Sequence, residues 1–176
     1  MDPLLESHSQ DPLNYVLVDM GEEHIDSVLE IEKAAFSNPW RRRDFLFSME
    51  REGSLCTVVV KENIVFGYFV GFFVDREFHL ADFAVHPDLQ GQGFGRLVLK
   101  DLVHTLESYE VQVVSLEVRA SNVSAVGLYK DFGFETMAIR KDYYSRPKED
   151  ALIMLLPIHG RLSDWVESAL RPPSKS

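Results

Sequence analysis

The stretch Val85-His86-Pro87-Asp88-Leu89-Gln90-Gly91-Gln92-Gly93-Phe94-Gly95-Arg96 limits the possible folds of this chain more than any other. It sets a glycine-rich turn between an apolar run that reads as a buried strand and an amphipathic run that reads as a helix. Glycines let backbone N–H groups converge on one concavity, and a helix beginning near Phe94 adds unpaired N–H donors and the positive end of its dipole. The result is a seat for an anion, of a size that suits a pyrophosphate. Its spacing, Gln-x-x-Gly-x-Gly, differs from the Gly-x-Gly-x-x-Gly of dinucleotide folds, and no Gly-Lys-Ser/Thr follows to make a Walker loop. On these residues alone the turn reads equally well as a phosphate seat and as a tight connection.

Around the turn, periodicity orders the chain. A first strand is expected at Tyr15 to Val18. Ile25, Val28, Leu29, Ile31 and Ala35 then recur at largely helical spacing up to the stop at Pro39, and Phe45, Leu46 and Met49 belong to a second short helix. Leu55 to Lys61, Ile64 to Val74 and Phe78 to Val85 read as three antiparallel strands, with Glu62-Asn63 as a tight hairpin turn. Leu97, Val98, Leu102, Val103 and Leu106 are the expected inner stripe of the helix after the turn, which returns to a strand at Val111 to Arg119 and completes one βαβ unit. Phe134 to Tyr143 and Ala151 to Pro157 close the sheet through a loop at Ser145-Arg146-Pro147-Lys148-Glu149. Residues 1–13 read as a mobile lead-in, 14–158 as one domain and 159–176 as an amphipathic extension. In that extension Leu162, Trp165, Val166 and Ala169 are expected to dock on the domain before Pro172-Pro173.

A chain of 176 residues with 45% hydrophobic content suits one globular domain, and no stretch is long and apolar enough to span a bilayer. The start Met1-Asp2-Pro3-Leu4-Leu5-Glu6 lacks the pattern of a signal peptide, and the lone Cys56 supports no internal disulfide, so a cytoplasmic location is expected. Cys56, between Leu55 and Val58, reads as a small buried hydrophobe. The net charge of −10 argues against direct nucleic-acid binding, which needs a basic face. Arg41-Arg42-Arg43 is the one basic cluster and reads as a solvated helix face. The histidines lack metal-ligand spacing, and no metal site is expected.

Downstream of the turn lie Leu116-Glu117-Val118-Arg119-Ala120-Ser121-Asn122, then Leu128-Tyr129, Gly133-Phe134 and Arg140-x-x-Tyr143-Tyr144, with Asn38-Pro39-Trp40 upstream. Together these resemble the GNAT acetyltransferases and, within them, the RimI family of ribosomal-protein alanine N-acetyltransferases, over about Tyr15 to Ile158. The resemblance implies a mixed, mostly antiparallel twisted sheet flanked by helices, splayed where the Phe78–Val85 and Val111–Arg119 strands part to admit acetyl-CoA. It assigns the backbone of Phe83, Ala84 and Val85 to the pantetheine arm, Gln90, Gly91, Gln92, Gly93, Phe94, Gly95 and Arg96 to the pyrophosphate, and Asn122 again to the arm. The family often carries arginines where this chain has Gly91-Gln92, so less side-chain charge faces the phosphates.

The same resemblance makes Glu117 the general base, acting through water, and Tyr129 the general acid for the departing thiolate. Read without it, Glu117 shares a strand face with Ser115 and Arg119 and serves equally well as the ion-pair partner of Arg119. Tyr129 by itself reads as a core tyrosine, and Asn122 as a helix N-cap. Tyr143-Tyr144 and the Pro39-Trp40 corner are implied to flank an extended peptide amino terminus, against a plain reading as aromatic packing. The implied acceptor is a protein α-amine, the amino-terminal alanine of the eighteenth small-subunit ribosomal protein. Lysine side chains, small amines and a non-catalytic acetyl-CoA-binding role are the alternatives.

Overall fold

The computed structural model describes residues 15–163 and 165. The lead-in at 1–13, Val166, Ala169 and Pro172-Pro173 lie outside the described residues. In chain order the elements are β1 (Val16–Asp19), α1 (Ile25–Ala35), α2 (Arg42–Glu50), β2 (Ser54–Lys61), β3 (Ile64–Val74) and β4 (Glu77–Val85). They continue with α3 (Phe94–Glu107), β5 (Val113–Arg119), α4 (Val123–Phe132), β6 (Glu135–Ser145) and β7 (Lys148–Pro157). The seven strands follow the order β1-β2-β3-β4-β5-β7-β6, and the pairs β1–β2, β2–β3, β5–β7 and β6–β7 are antiparallel. The mixed sheet flanked by helices is the fold class expected.

The chain falls into two compact units, one built on residues 15–73 and 80–99, the other on 74–79 and 100 onward. In the first, Ile25, Val28 and Ile31 of α1 and Phe45 of α2 are fully buried on Val58, Tyr68, Val70 and Ala84 of β2, β3 and β4. Truncating Phe45 to alanine costs about 3–5 kcal/mol, the usual loss for a buried aromatic ring. The hairpin between β2 and β3 turns on Glu62 and Asn63, both left-handed at φ 51° and 64°, the pair of conformations that a two-residue turn of matching twist requires. The stripe of α1 also carries a residue that hydropathy does not flag: Glu32 is 1% exposed, on the same side as Val28 and Ile31.

In the second unit Val113, Val114, Leu116 and Val118 of β5 and Met154 and Leu156 of β7 are buried. Leu162 packs on Val113 and Leu155 with Trp165 beside it, so the described start of the extension does dock on this unit. Two expectations are corrected. The buried residues of α3 are Phe94, Val98, Leu99, Leu102 and Leu106, while Leu97 and Val103 sit at the margin, because the helix begins its apolar face at Phe94 and keeps to a 3.6-residue period from there. The five-residue loop expected between the last strands shrinks to Arg146-Pro147, since β6 runs on to Ser145 and β7 starts at Lys148. Charged and aromatic residues hid this extension. The edge strand β6 takes two irregular steps against β7, between Thr136 and Ala138 and between Arg140 and Tyr144, with Asp142 left-handed at φ 53°.

Candidate active site

The turn expected to hold an anion is well formed. Gly91 and Gly93 take φ 72° and 85°, conformations that L side chains rarely adopt, and a Cβ added at either would meet nothing within 4 Å. The glycines therefore permit the turn and leave open space beside it. The N–H groups of Arg96 and Leu97 turn back to the Gly93 carbonyl at 3.1 and 3.2 Å, which starts α3. Phe94 anchors that start through its ring, 6.4 Å from both Tyr15 and Phe66. The glutamine side chains brace the turn: Gln90 Nε2 donates to the Val85 carbonyl at 3.0 Å, and Gln92 Nε2 to the Asp88 carbonyl at 2.6 Å. What Gln90 and Gln92 offer a ligand is therefore backbone. Phe83, Ala84 and Val85 form the end of β4 immediately before this turn.

Elsewhere in this unit, Glu32 controls the Asn38-Pro39-Trp40 corner. Its Oε1 accepts the Trp40 N–H at 2.6 Å, its other oxygen accepts a short hydrogen bond from the Tyr68 hydroxyl, and Asp82 Oδ2 lies 3.3 Å from that hydroxyl. Burial drives the carboxyls of both Glu32 and Asp82 above the usual carboxylate range, and the charge of Glu32 pushes Asp82 up further. Trp40 packs tilted against Phe45, ring centroids 5.3 Å apart, so the corner is fixed from both sides. Cys56, half-buried, has its thiol pushed up to about 11 by burial and then by Asp19, which suits its reading as an inert hydrophobe.

The second unit holds the expected acid and base. Glu117, on the polar face of β5, is not the partner of Arg119. Its Oε2 lies 3.2 Å from His79 Nε2 and its Oε1 3.3 Å from an Arg140 guanidinium nitrogen, while Arg119 pairs with Glu149 at 3.2 Å. The Glu117–Arg119 ion pair that the sequence offered is thus corrected: each residue pairs with a side chain from another strand. Arg119 and Arg140 stand at either end of one row of the sheet, each opposite the buried Ala151, whose small side chain leaves room for long side chains to cross. His79 was not singled out by the sequence. Its Nδ1 lies 2.9 Å from Ser115 Oγ, which in turn makes a short hydrogen bond to Glu77. The alternation Glu77-Phe78-His79-Leu80, polar on one face as in Ser115-Leu116-Glu117, was the available signal.

Tyr129 of α4 is buried at 7% exposure with its ring 5.4 Å from Phe134, so its inward orientation is as expected. Asn122 caps α4, its Oδ1 accepting the Ala125 N–H at 3.1 Å. Tyr143 and Tyr144 meet edge to face at 5.0 Å, under the guanidinium groups of Arg140 and Arg119 at 5.0 and 4.0 Å. Burial, and next Tyr143, push the Tyr144 phenol up to about 12, so it stays protonated at neutral pH. No cluster of three or more histidine, cysteine or acidic side chains capable of holding a metal occurs among the described residues, and none of their helices is long and apolar enough to cross a membrane.

The acetyltransferase (GNAT) family model matches residues 25–134. The [ribosomal protein bS18]-alanine N-acetyltransferase of Escherichia coli K12 is 37% identical over 136 residues, which cover 76% of this chain and 91% of that protein. The enzyme of the same name from Salmonella typhimurium is 37% identical over 131 residues, covering 73% and 88%. The crystal structure of the ribosomal-protein-S18-alanine N-acetyltransferase from Escherichia coli superposes with a TM-score of 0.76 at 33% identity, over 84% of this chain and 96% of that one. The family model over most of the chain and relatives at 37% identity decide the assignment: the chain belongs to the GNAT family and is an acetyl-CoA-dependent N-acetyltransferase.

Proposed function

We propose that this enzyme transfers acetyl from acetyl-CoA to the α-amine of a protein amino terminus, in particular the N-terminal alanine of ribosomal protein bS18, in the cytoplasm. The observation that carries the substrate is the reach of the similarity: relatives bearing that activity in their names share 37% identity over up to 91% of their own length. The domain is read as residues 14–158, with 159–176 as an extension.

Each step asks something different of the residues. Gly91, Gln92, Gly93, Phe94, Gly95 and Arg96 offer backbone N–H groups and a helix start to the pyrophosphate, with Gln90 bracing the turn, and the backbone of Phe83, Ala84 and Val85 together with Asn122 aligns the pantetheine arm. Glu117 accepts a proton from the acceptor ammonium through water, and Tyr129 gives its phenolic proton to the departing thiolate. Transfer is direct and passes through no covalent enzyme intermediate. A peptide α-amine has a pKa near ~8 against ~10.4 for lysine, so its neutral fraction at pH 7 is roughly a hundredfold larger and one carboxylate-centred base is enough.

The test is an acetylation assay on a panel: a peptide beginning with the bS18 amino terminus, the same peptide with a blocked amino terminus and an internal lysine, free lysine and polyamines. The reading expects the free amino-terminal alanine peptide to react much faster than the rest. Equal rates on lysine and α-amine peptides refute it in favour of a general amine acetyltransferase, and acetyl-CoA binding without turnover on any acceptor points to a non-catalytic binding role.

A further inference from the structure

Glu77, Ser115, His79 and Glu117 form one line of contacts in the second unit: Glu77 to Ser115 Oγ, Ser115 Oγ to His79 Nδ1 at 2.9 Å, and His79 Nε2 to Glu117 Oε2 at 3.2 Å. Each of the three contacts joins two heteroatoms and needs one proton between them. Ser115 supplies one. The other two must lie on the imidazole, on both ring nitrogens, or be shifted along the line to an equivalent arrangement. Three contacts thus call for one proton more than a neutral histidine between two carboxylates carries. With one proton fewer, keeping the Ser115 hydroxyl on Glu77 and Nδ1–H on Ser115 leaves the gap between His79 Nε2 and Glu117 Oε2, 3.2 Å apart.

We propose that His79, held by Ser115 and Glu77, is the positioning residue and proton reservoir of Glu117. The proposal rests on the reading of Glu117 as the base. In the working form the line carries two protons. Glu117 takes the proton of the acceptor ammonium through water, breaking an N–H bond and forming an O–H bond. The proton moves to His79 Nε2, which restores the Glu117 carboxylate and completes the third contact. The acceptor is left as a neutral amine, Tyr129 protonates the departing thiolate, and the tyrosine is made good by the second proton that the attacking nitrogen loses. The line then returns its proton to solvent through the His79 side chain, which is 30% exposed. The balance is ammonium plus thioester to amide, thiol and one released proton.

The other charged or titratable groups facing the pair from neighbouring strands are Arg140 on Glu117 Oε1, Arg119 held by Glu149, and Tyr144, whose phenol stays protonated near neutrality. None of them competes for the proton on His79 Nε2. A carboxylate deprived of the imidazole has no second base to pass its proton to, so loss of His79 slows the chemical step without touching donor or acceptor binding.

The experiment compares wild type, His79→Gln, Ser115→Ala, Glu117→Gln and the His79→Gln/Glu117→Gln pair on the amino-terminal alanine peptide. It measures kcat and KM from pH 5.5 to 9, acetyl-CoA affinity and Tm. General-base groups contribute about 10²–10⁴-fold, and His79→Gln, which keeps the carboxylate, is expected to lower kcat about tenfold at pH 7. KM and acetyl-CoA affinity stay as in wild type, and the rising limb of the kcat profile moves to lower pH. The double variant is no slower than Glu117→Gln, because the two residues act as one unit. Ser115→Ala removes the acceptor of Nδ1–H and the donor to Glu77 while leaving the imidazole in place, and shifts the limb in the same direction by less, which keeps the test alive if His79→Gln folds poorly. A wild-type profile in His79→Gln, or a loss of kcat equal at every pH and accompanied by a lower Tm, overturns the proposal while leaving Glu117 as base. A Glu117→Gln enzyme with unchanged kcat overturns the reading of Glu117 itself.

Discussion

Gly67→Ala tests whether the end of β4 serves acetyl-CoA. A Cβ at position 67 would lie 2.8 Å from the Ala84 carbonyl oxygen and 3.4 Å from Val85 Cα, both backbone atoms that cannot swing aside. To regain ordinary contact β4 must retreat by about half an ångström, an overpacking strain of about 1–3 kcal/mol. For a chain of this size each kcal/mol lowers Tm by roughly 2–4 °C, so a fall of about 2–12 °C is expected. A misplacement of 1 Å at a reacting geometry costs on the order of 100-fold in rate, so half that shift at Ala84 is expected to lower turnover about tenfold and to weaken acetyl-CoA binding with it. Gly53→Ala is the control. At φ 75° its side chain is strained by roughly 1–2 kcal/mol, yet its Cβ meets only the Phe73 carbonyl at 3.7 Å, so stability falls and affinity holds. Calorimetric titration with acetyl-CoA and thermal melts of both variants give the answer. A Gly67→Ala protein with lowered Tm and wild-type affinity would refute the assignment of Phe83 to Val85 to the donor.

Gly93→Val places a β-branched residue at φ 85° and its side chain in the open concavity, so a folded, slightly less stable protein should lose acetyl-CoA binding on titration; retained affinity would show that the turn is only a connection. Tyr129→Phe should lower kcat far more than acetyl-CoA affinity in steady-state and binding assays, whereas lost stability with full kcat would leave Tyr129 as core packing. Asp82 is raised by burial in the folded state, so its contribution to stability is full below the unfolded carboxylate pKa and is lost as pH rises through the folded value. Asp82→Asn should therefore gain Tm relative to wild type progressively from about pH 4 upward and gain nothing below it; a constant difference in melts from pH 3.5 to 8.5 would contradict the linkage.

Local chemistry was legible in the sequence and long-range adjacency was not. Glu62-Asn63, the glycines of the turn before α3, the Asn122 cap and the Phe94 helix start all depend on residues within a few positions of one another, where φ preference and capping decide the outcome. Glu117 shows the limit. Along a strand its same-face neighbour Arg119 is a plausible partner, but side chains on other strands come closer than those two positions away, and which strands those are depends on the crossover that sets β7 between β5 and β6. His79 and Arg140 could be seen as polar residues on strand faces and not as its contacts. Glu32 illustrates a second limit, since a carboxylate inside an apolar helical stripe is explained only by the Trp40 N–H and Tyr68 hydroxyl, donors that lie 8 and 36 residues away.

The two irregular steps in β6 bear on how this protein avoids sticking to itself. β6 is the last strand of the sheet and shows Met137, Ile139 and Tyr143 to solvent, a composition that would template addition of a foreign strand if the edge were straight. Between the steps only Ala138, Ile139 and Arg140 keep unbroken register, too few for a stable added strand. The left-handed Asp142 and the neighbouring Lys141 bring charge to the second step. A variant that removed the irregularity and straightened the strand would expose a continuous apolar ladder, and its cost would appear as concentration-dependent aggregation.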